Sequence, residues 1–268
     1  MEHSNASFIS QTLSRVRRVQ SRRQREASGL HYVEGFRAFL QLIDSGIRID
    51  TILYCELLAR NPAVQKHVRL SRRAGIPVAR LTPEQFRAIS CTERASGIGA
   101  IAAQHWTALD EIDPRRGLCW VALGPLRSLG NLGTLMRTAE AVAAGGIIFL
   151  ADSLDPFDPA VVRASMGGLF RLQLARTTLY RFAAWARAHG CAVVGTSPSG
   201  STLYTQVPVE APLVILFGEE RAGLSPAELA VCTQTARIPI VGRADSLNVG
   251  VAAGIMLYEV LRRRVQAS

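Results

Sequence analysis

The apolar residues in the first hundred positions recur at two different spacings. Stretches with helical spacing are separated by short, continuous apolar runs of strand length. The predicted elements are helices over 34–43 and 64–73 and after Pro83, with strands at 51–54, around Val78 and at 98–102. Strands that alternate with helices are typical of an α/β fold. Residues 29–104 are therefore predicted to form a small α/β domain.

The chain beyond residue 117 repeats this alternation with fuller apolar runs. The predicted elements are strands at 119–123, 147–151, 192–196, 213–217 and 236–240, helices at 131–144, 159–166, 179–189 and 226–232, and a last helix over 246–264. Continuous apolar strands predict a parallel sheet covered by helices on both faces. Residues 118–268 are predicted to form a second, doubly wound α/β domain. The aperiodic residues 105–117 are predicted to link the two domains.

The segment before the first domain, residues 1–28, is polar and rich in arginine. Its first dozen residues are predicted to be loose. The arginines that follow crowd a helix-compatible stretch in which only Glu26 offsets them. These are Arg15, Arg17, Arg18, Arg22, Arg23 and Arg25. This density predicts binding to RNA phosphate, and a solvated helix face is the alternative.

The charge balance narrows the class of partner. The net charge is +10 over 268 residues, and Lys66 is the only lysine, so nearly all cations are arginine forks that bind phosphate bidentately. Such a basic chain is expected to meet a polyanion, nucleic acid before membrane, and solubility alone is the alternative. No apolar run reaches the roughly 18 residues that span a bilayer, and the first residues lack signal-peptide features. We expect no membrane partner and a cytoplasmic location.

The cysteines carry no pattern of a metal site or a nucleophile. The five thiols are scattered, without a C-x-x-C pair or a nearby pair of histidines. They are Cys55, Cys91, Cys119, Cys191 and Cys232. None lies in a glycine-rich or electropositive turn, which would lower the pKa of a thiol. We expect reduced core residues and no metal.

Three glycine-bearing turns follow three predicted strands of the second domain. In an open parallel sheet, ligands gather where the carboxyl ends of strands meet the starts of helices. The first turn runs from Gly124 into a helix that Asn131 is expected to cap and that carries Arg137. Its glycines do not match the G-x-G-x-x-G fingerprint, and no acid follows at the required distance. A nicotinamide oxidoreductase is therefore disfavoured.

The other two turns place polar residues directly after apolar strands. The second turn runs straight into Glu219 and Glu220, and carboxylates at a strand end need partners. The third turn contains Ser246 and Asn248, which are both good helix-start residues. Capping explains only one of these two residues, so the pair indicates a ligand site.

In this order and spacing, the three turns resemble the motifs of the SpoU (TrmH) family of RNA ribose 2′-O-methyltransferases, in the SPOUT superfamily. The first motif, Asn-x-Gly-x-x-x-Arg, is met by Asn131, Gly133 and Arg137. The second, Gly-x-Glu-x-x-Gly, is met by Gly218, Glu220 and Gly223. The third is met by Ile238, Pro239, Ser246, Leu247, Asn248 and Val249. The similarity covers about residues 118–264. Gly29, residues 32–35 and residues 97–100 are similar to the family's substrate-binding domain, which resembles ribosomal protein L30e.

The resemblance implies an architecture. It predicts an N-terminal L30e-like α/β domain for RNA binding and a C-terminal SPOUT domain whose parallel sheet contains a deep trefoil knot. It also predicts a homodimer through the C-terminal domain, with the last helix in the interface and a site built by both subunits. Glu219 and Gly250 depart from the family, where Asn or a small residue and Ser are frequent at these positions, and either departure could alter the local geometry.

The resemblance also implies S-adenosylmethionine as cofactor and roles for single residues. Arg137 is expected at the ribose 2′-hydroxyl and its phosphate, with Asn131, Glu220, Ser246 and Asn248 shaping the site. The cofactor is expected against the backbone at Thr196, Leu216, Gly218, Ile238 and Leu247. Because arginine holds its proton too tightly to act as a base, we hypothesise that the RNA phosphate accepts or relays the proton.

The implied reaction is methyl transfer from S-adenosylmethionine to a ribose 2′-hydroxyl in structured RNA. The L30e-like domain favours 23S rRNA, and a tRNA ribose methyltransferase is the alternative. An inactive RNA-binding module is disfavoured because Arg137, Glu220 and Asn248 are all present. A base-methylating relative is disfavoured by Arg137 and the Ser-Leu-Asn element. A resistance enzyme of an antibiotic producer would carry the same motifs.

Overall fold

A computed structural model of the protein describes residues 2–267, which form ten α-helices and eleven strands. The strands are β1 (Leu30–Glu34), β2 (Ile49–Tyr54), β3 (Val78–Arg80), β4 (Ile98–Ala103), β5 (Trp120–Leu123), β6 (Gly146–Phe149), β7 (Gln173–Arg176), β8 (Ala192–Thr196), β9 (Thr202–Leu203), β10 (Leu213–Phe217) and β11 (Gln234–Arg237). The helices are α1 (Glu2–Val19), α2 (Arg22–Ser28), α3 (Phe36–Asp44), α4 (Pro62–Arg73), α5 (Pro83–Arg87), α6 (Leu129–Ala141), α7 (Pro159–Ala164), α8 (Leu179–Ala188), α9 (Pro226–Val231) and α10 (Val249–Ala267). The predicted helices and strands are all confirmed, with ends that shift by a few residues. The strands β1, β7 and β9 were not predicted.

The chain divides into two compact units, and the division differs from the predicted one. The first unit contains the residues up to His105 together with Asp155–Arg171. The second contains Trp106–Leu154 and the residues from Leu172 onward. The sequence predicts one contiguous break at 105–117, whereas the segment 155–171 leaves the second unit to pack with the first. Helix α7 of this segment contacts β1, the edge strand of the first unit's sheet.

The first unit is built on a four-stranded mixed sheet in the order β1-β4-β2-β3. Strand β4 pairs antiparallel with β1 and β2, and β3 pairs parallel with β2. One face packs on α1, whose buried Val16 and Val19 join Tyr32, Leu53 and Ile101 in a core cluster. The first dozen residues were predicted to be loose, and this prediction is wrong because α1 begins at Glu2 and its apolar side is needed to cover the sheet.

Arg25 was predicted to bind RNA, and the structure contradicts this role. Its side chain is 1% exposed and lies between two carboxylates. Its guanidinium donates to Asp155 Oδ2 at 2.6 and 2.9 Å and to Asp158 Oδ2 at 3.0 Å. It also donates to the backbone carbonyls of Val19 and Gln20. A buried cation must be paired and hydrogen-bonded, so these residues of the first unit, here called the Arg25 cluster (Arg25, Asp155 and Asp158), hold Arg25 away from any phosphate.

The other predicted RNA-binding arginines fall into two groups. Arg15 is half-buried and pairs with Asp50 at 2.7 Å, and Arg22 pairs with Glu26 one turn along α2 at 2.9 Å. The second group is exposed on α1 and α2 and consists of Arg17, Arg18 and Arg23. Local carboxylates therefore already neutralise part of the charge that the sequence appeared to leave unbalanced.

The second unit is built on a seven-stranded sheet in which every described pairing is parallel, in the order β7-β6-β5-β10-β8-β11-β9. The predicted doubly wound parallel sheet is thereby confirmed. The chain builds outward from β5 through β6 to β7 and then continues on the far side of β10. The order of the strands thus reverses between β5 and β10, and ligands of open parallel sheets bind at such a switch point.

The predicted linker is partly core. Leu109 and Ile112 are buried, and both join Trp120 of β5 in the core of the second unit. The indole Nε1 of Trp120 donates to the carbonyl of Asp113 at 3.1 Å. The segment shows no helical or strand periodicity in its apolar residues. It contributes only isolated buried residues and a short 3₁₀ turn at Leu109–Glu111. It is therefore not a free linker.

Helix α10 closes the second unit by packing against α6. It begins at Val249 rather than at the predicted residue 246. Its inner side buries Ala253, Met256, Leu257 and Val260. In the part of the chain that the structure describes, no helix is both long and apolar enough to cross a membrane.

Candidate active site

The three glycine-bearing turns converge at one edge of the second unit's sheet. Strands β5 and β10 are neighbours in register, with Leu123 opposite Phe217, so the first two turns leave the sheet side by side. The amide of Gly124 donates to the carbonyl of Phe217 at 2.9 Å and ties the two exits together. The third turn follows β11 and returns to this edge before α10. The predicted meeting of the three turns is confirmed.

Glu220 of the second turn holds the first turn. Its carboxylate accepts from the backbone amides of Arg127 at 2.7 Å and Ser128 at 3.1 Å and from Asn131 Nδ2 at 3.2 Å. Partial burial raises the pKa of Glu220, but these three donors outweigh it and hold the pKa below its usual value. Glu220 is therefore an anion at neutral pH that already accepts three hydrogen bonds, which suits a positioning role rather than that of a base.

Asn131 lies inside the first turn of α6 and does not cap it. The cap is Ser128, whose hydroxyl accepts from the amide of Asn131 at 3.2 Å. The predicted capping role is wrong because two cap-forming residues lie three positions apart and the earlier one takes the position. The carboxamide of Asn131 is thus available to bridge, and its Oδ1 accepts from Asn248 Nδ2 at 2.9 Å.

Asn248 joins the third turn to the other two and starts α10. Its Oδ1 accepts from the amide of Gly250 at 2.8 Å and lies 3.4 Å from that of Val251, so it caps the helix. The residues Glu220, Asn131 and Asn248, here called the motif network, form one continuous hydrogen-bonded chain. Each of the three residues comes from a different motif. The hydrogen bonds therefore join segments of the chain that are far apart in sequence.

Gly250 departs from the family pattern, and close packing explains it. A Cβ at this position would lie 3.2 Å from Asn248 Oδ1 and 3.4 Å from Thr134 Cγ2 of α6. The first contact is tighter than most Cβ atoms make, and the second is at the short end of ordinary van der Waals contact. Glycine therefore lets α10 approach α6 while the cap of Asn248 stays in place.

A cleft of about 460 Å³ lies between the second turn, the third turn and the end of β8. Such a volume falls within the range of about 300–1,000 Å³ that is typical of small-molecule sites. Four of the five residues predicted to bind the cofactor line the cleft, together with two residues predicted to shape the site. The first four are Thr196, Gly218, Ile238 and Leu247, and the other two are Glu220 and Ser246. The predicted residue Leu216 is fully buried and outside the lining, and its carbonyl accepts from the hydroxyl of Thr196 at 3.1 Å.

Two acidic side chains line the cleft that the sequence did not assign to the site. Glu219 accepts from the amide of Ala222 at 2.6 Å and pairs with the guanidinium of Arg127 at 2.5 Å. These contacts, the amide first, lower the pKa of Glu219, so it is anionic at neutral pH. Asp245 of the third turn is exposed at the same cleft. Consecutive carboxylates between two glycines were the available signal for Glu219.

The lining fits S-adenosylmethionine by its chemistry. Phe217, Leu224 and Ile238 provide an apolar wall suited to a flat adenine. Asp245 provides a carboxylate suited to an ammonium or sulfonium cation, whereas the carboxylate of Glu219 is paired with Arg127. The cleft therefore combines an apolar wall with polar and charged groups, as a cationic adenosyl ligand requires.

Arg137 lies on α6 outside the lining of the cleft. Its side chain is exposed and makes no hydrogen bond or ion pair with any residue that the structure describes. Arg137 follows Asn131 by six residues, which is about 1.7 helical turns. The two side chains therefore leave α6 about 120° apart. The motif network is therefore assembled within this chain, and Arg137 presents an uncommitted guanidinium to whatever binds beside it.

The cysteines offer no nucleophile to this site. All five are free thiols. Burial raises the pKa of Cys119 to about 12 and the pKa values of Cys191 and Cys232 to about 11, so these thiols stay protonated at neutral pH. Among residues 2–267, no group of three His, Cys, Asp or Glu side chains is placed to hold a metal ion.

A parallel sheet with three joined motif turns and an adenosyl-compatible cleft defines an S-adenosylmethionine-dependent RNA methyltransferase. The family model described as the SpoU rRNA Methylase family matches residues 119–258, and a model described as the MRM3-like substrate binding domain matches residues 11–100. The chain belongs to the SpoU rRNA methylase family.

Relatives of known description support this membership over nearly the whole chain. A 23S rRNA (uridine(2479)-2′-O)-methyltransferase of Streptomyces viridochromogenes is 30% identical over 252 residues, which are 91% of this chain and 87% of that protein. The 23S rRNA (guanosine(2553)-2′-O)-methyltransferase RlmP of Bacillus subtilis is 25% identical over 244 residues, which are 91% and 93% of the two chains. An AdoMet-bound rRNA methyltransferase from Sinorhizobium meliloti has a TM-score of 0.85 at 35% identity over 94% of each chain. The predicted family, enzyme class and cofactor are confirmed.

Proposed function

We propose that this protein transfers a methyl group from S-adenosylmethionine to a ribose 2′-hydroxyl of 23S rRNA. The observation that carries the proposal is the motif network, which joins all three family motifs through Glu220, a residue that lines the cleft. The relatives described above are named for ribose methylation of 23S rRNA. Transfer RNA is the second candidate, because other relatives are described as tRNA/rRNA methyltransferases of the TrmH family.

The residues of the cleft divide the work of binding and alignment. S-adenosylmethionine supplies an electrophilic methyl group on a sulfonium. Thr196, Gly218, Ile238 and Leu247 line the cleft that would hold it, while the carboxylate of Asp245 favours its positive charge. Glu220 and Asn131 fix the first turn. Together with Asn248 they hold the three turns in fixed positions relative to one another. Rigid alignment of this kind is the main contribution a protein makes to an in-line displacement.

Arg137 serves to hold the RNA rather than to remove a proton. A guanidinium stays protonated at neutral pH, and its fork matches a phosphate. Glu220 accepts three hydrogen bonds that hold its pKa below its usual value, so it is no better as a base. In this proposal the RNA phosphate accepts or relays the proton of the 2′-hydroxyl, and Arg137 fixes both groups. Ser246 is exposed and also lines the cleft.

The assembly would be a homodimer through α10. Val251, Tyr258 and Val265 recur every seven residues on this helix and are 52%, 52% and 68% exposed. An apolar stripe at this spacing is typical of a helix that packs against another helix. A second copy would cover the stripe and would bring further residues to the site. The deep trefoil knot, the L30e-like character of the first unit and a cytoplasmic location belong to the same proposal.

The proposal is tested with methyl-labelled S-adenosylmethionine and protein-free 23S rRNA or tRNA. The wild-type protein should label 23S rRNA, and Arg137→Ala should lower the rate by about 100-fold because an oriented cation is lost. Cofactor affinity, measured by calorimetry, should be unchanged in this variant. Arg187→Ala, an exposed arginine of α8, is the matched control and should keep the wild-type rate.

Two outcomes contradict the proposal. An undiminished rate in Arg137→Ala would remove Arg137 from the reaction. A folded wild-type protein without affinity for S-adenosylmethionine would remove the cofactor assignment.

A further inference from the structure

A groove in the first unit lies far along the sequence from the motif turns. Its volume is about 490 Å³, and it runs between the loop after α3 and one flank of α4. The floor and walls are apolar and include Ile43, Ile47 and Ile76. Leu70 is 47% exposed there, and the imidazole of His67 lies beside it. An exposed leucine beside an open aromatic ring is not explained by packing within the unit.

The groove is bordered by positive charge. Lys66, Arg69 and Arg73 recur at helical spacing on the exposed crest of α4, with Arg72 beside them. Arg48 lines the opposite wall. These five side chains form no hydrogen bond or ion pair with any residue among 2–267, and α4 carries no acidic residue. Arg48 is the cation that lines the groove, and the α4 cations lie on the exposed side of that helix outside the lining, so positive charge is concentrated next to the apolar slot and favours an anion there.

We propose that this groove binds an unpaired nucleotide of the RNA substrate. The base would enter the apolar slot and stack on His67 or on the plane of Arg48, and the flanking phosphates would lie on the crest of α4. Unstacked bases held against an aromatic or guanidinium plane, with phosphates on a cationic track, are the usual mode of single-stranded RNA recognition. The inference rests on the proposed function, because it names where the same RNA is held.

The groove is an alternative RNA-binding surface to the arginines of α1 and α2, which the sequence predicted to bind RNA. The exposed arginines of α1 and α2 are Arg17, Arg18 and Arg23, and none of them lines the groove. Helix α1 packs on the face of the sheet that carries Tyr32 and Leu53. Helix α4 packs on α3, which contacts β1 and β4. Strand neighbours such as Ile52 point away from the α1 face, so the two basic surfaces lie on opposite faces of one sheet.

The test compares matched losses of three charges on the two surfaces. Binding of the full chain to protein-free 23S rRNA is measured between about 50 and 200 mM salt. The triple variant Lys66→Ala, Arg69→Ala, Arg73→Ala should weaken binding by at least about tenfold and flatten the salt slope by about 2, since each phosphate contact contributes about 0.7–0.9. The control triple variant Arg17→Ala, Arg18→Ala, Arg23→Ala should change both quantities less.

A second pair of variants tests the contribution of the apolar slot separately from that of the cations on α4. Leu70→Glu places an anion in the groove without removing a cation and should also weaken RNA binding by about tenfold. Leu57→Glu, a leucine of the same unit that is 65% exposed and outside the groove, is its control and should bind like the wild type. Affinity for S-adenosylmethionine should be unchanged in every variant.

The inference is overturned if the α4 triple variant and Leu70→Glu bind 23S rRNA with wild-type affinity and salt slope while the wild type methylates it. That outcome leaves the proposed function intact. If the wild type binds the cofactor but neither 23S rRNA nor tRNA, the proposed function fails and the groove fails with it.

Discussion

The Arg25 cluster and the motif network are both polar groups of three residues that join distant parts of the chain, but they differ in burial and charge. The Arg25 cluster contains three formal charges in the interior of the first unit. The motif network contains one charge and two amides at the rim of an open cleft. Buried charges that lose a partner destabilise the fold, whereas a half-exposed network can relax into water. The first cluster should therefore control stability, and the second should control activity.

Replacing Arg25 should give the largest effect. Arg25→Met keeps much of the side-chain volume but leaves Asp155 buried without its cation, and Asp158 loses the same partner. The free energy of unfolding should fall by about 3–5 kcal/mol, which urea denaturation measures. Arg23→Met, an exposed arginine on the same helix, should change it by less than about 0.5 kcal/mol. A loss below about 1 kcal/mol in Arg25→Met would mean that the cluster does not hold the first unit together.

Breaking the motif network should instead lower the rate of methylation. Asn131→Ala removes the bridge between Glu220 and Asn248, so the rate should fall by about 100-fold, or about 2.7 kcal/mol in activation free energy. The free energy of unfolding should change by at most about 1 kcal/mol, because Ser128 remains the helix cap. Ser128→Ala is the matched variant, and it should show the reverse pattern. Equal activity in Asn131→Ala and the wild type would show that the network is only structural.

The ionisation of Glu220 gives the comparison a pH dependence. Its folded-state pKa lies below the ordinary value of 4.5, so its contribution to stability is present above that pH and is lost as the pH falls through the folded pKa. Wild-type protein should therefore be more stable than Glu220→Gln at pH 7, and the difference should shrink below about pH 4.5. Unfolding curves of both proteins across this range measure it. A difference that does not vary with pH would mean that Glu220 is not held as an anion.

Two variants of Asn248 give the smallest effect and separate its two roles. Asn248→Asp keeps the oxygen that caps α10 but cannot donate to Asn131, and Asn248→Ala loses both contacts. The alanine variant should lose about 1 kcal/mol of stability, and the aspartate variant should lose less. Both should methylate slowly. Full activity in the aspartate variant would show that the bridge to Asn131 is dispensable.

The sequence predicted the motif network better than the Arg25 cluster, for a physical reason. Asn131, Glu220 and Asn248 each lie in a turn that follows a strand of the parallel sheet, and the carboxyl ends of parallel strands meet at one sheet edge. Arg25 is one of six arginines with similar neighbours, and its partner Asp155 is 130 positions away. Nothing in the local pattern distinguishes a buried arginine from an exposed one.

Other errors in the prediction come from elements without an apolar signal of their own. Strand β7 is only four residues long and contains Gln173 and Arg176, and β9 has two residues at the sheet edge. Such strands form because a neighbouring strand offers free hydrogen-bonding groups, which periodicity does not record. The capping error at Asn131 has a similar origin. Ser128 and Asn131 are both good cap residues, and the backbone conformation of the preceding loop, which the sequence does not show, determines which of them caps α6.

The central claim is that the chain methylates a ribose rather than a base. The most direct measurement is mass spectrometry of nucleosides from 23S rRNA after incubation with the protein and methyl-labelled S-adenosylmethionine, with the Arg137→Ala variant in parallel. We expect the label in one 2′-O-methylnucleoside, on the ribose fragment, and about 100-fold less of it with the variant. A label on the base fragment, or no labelled nucleoside from either 23S rRNA or tRNA, would contradict the account.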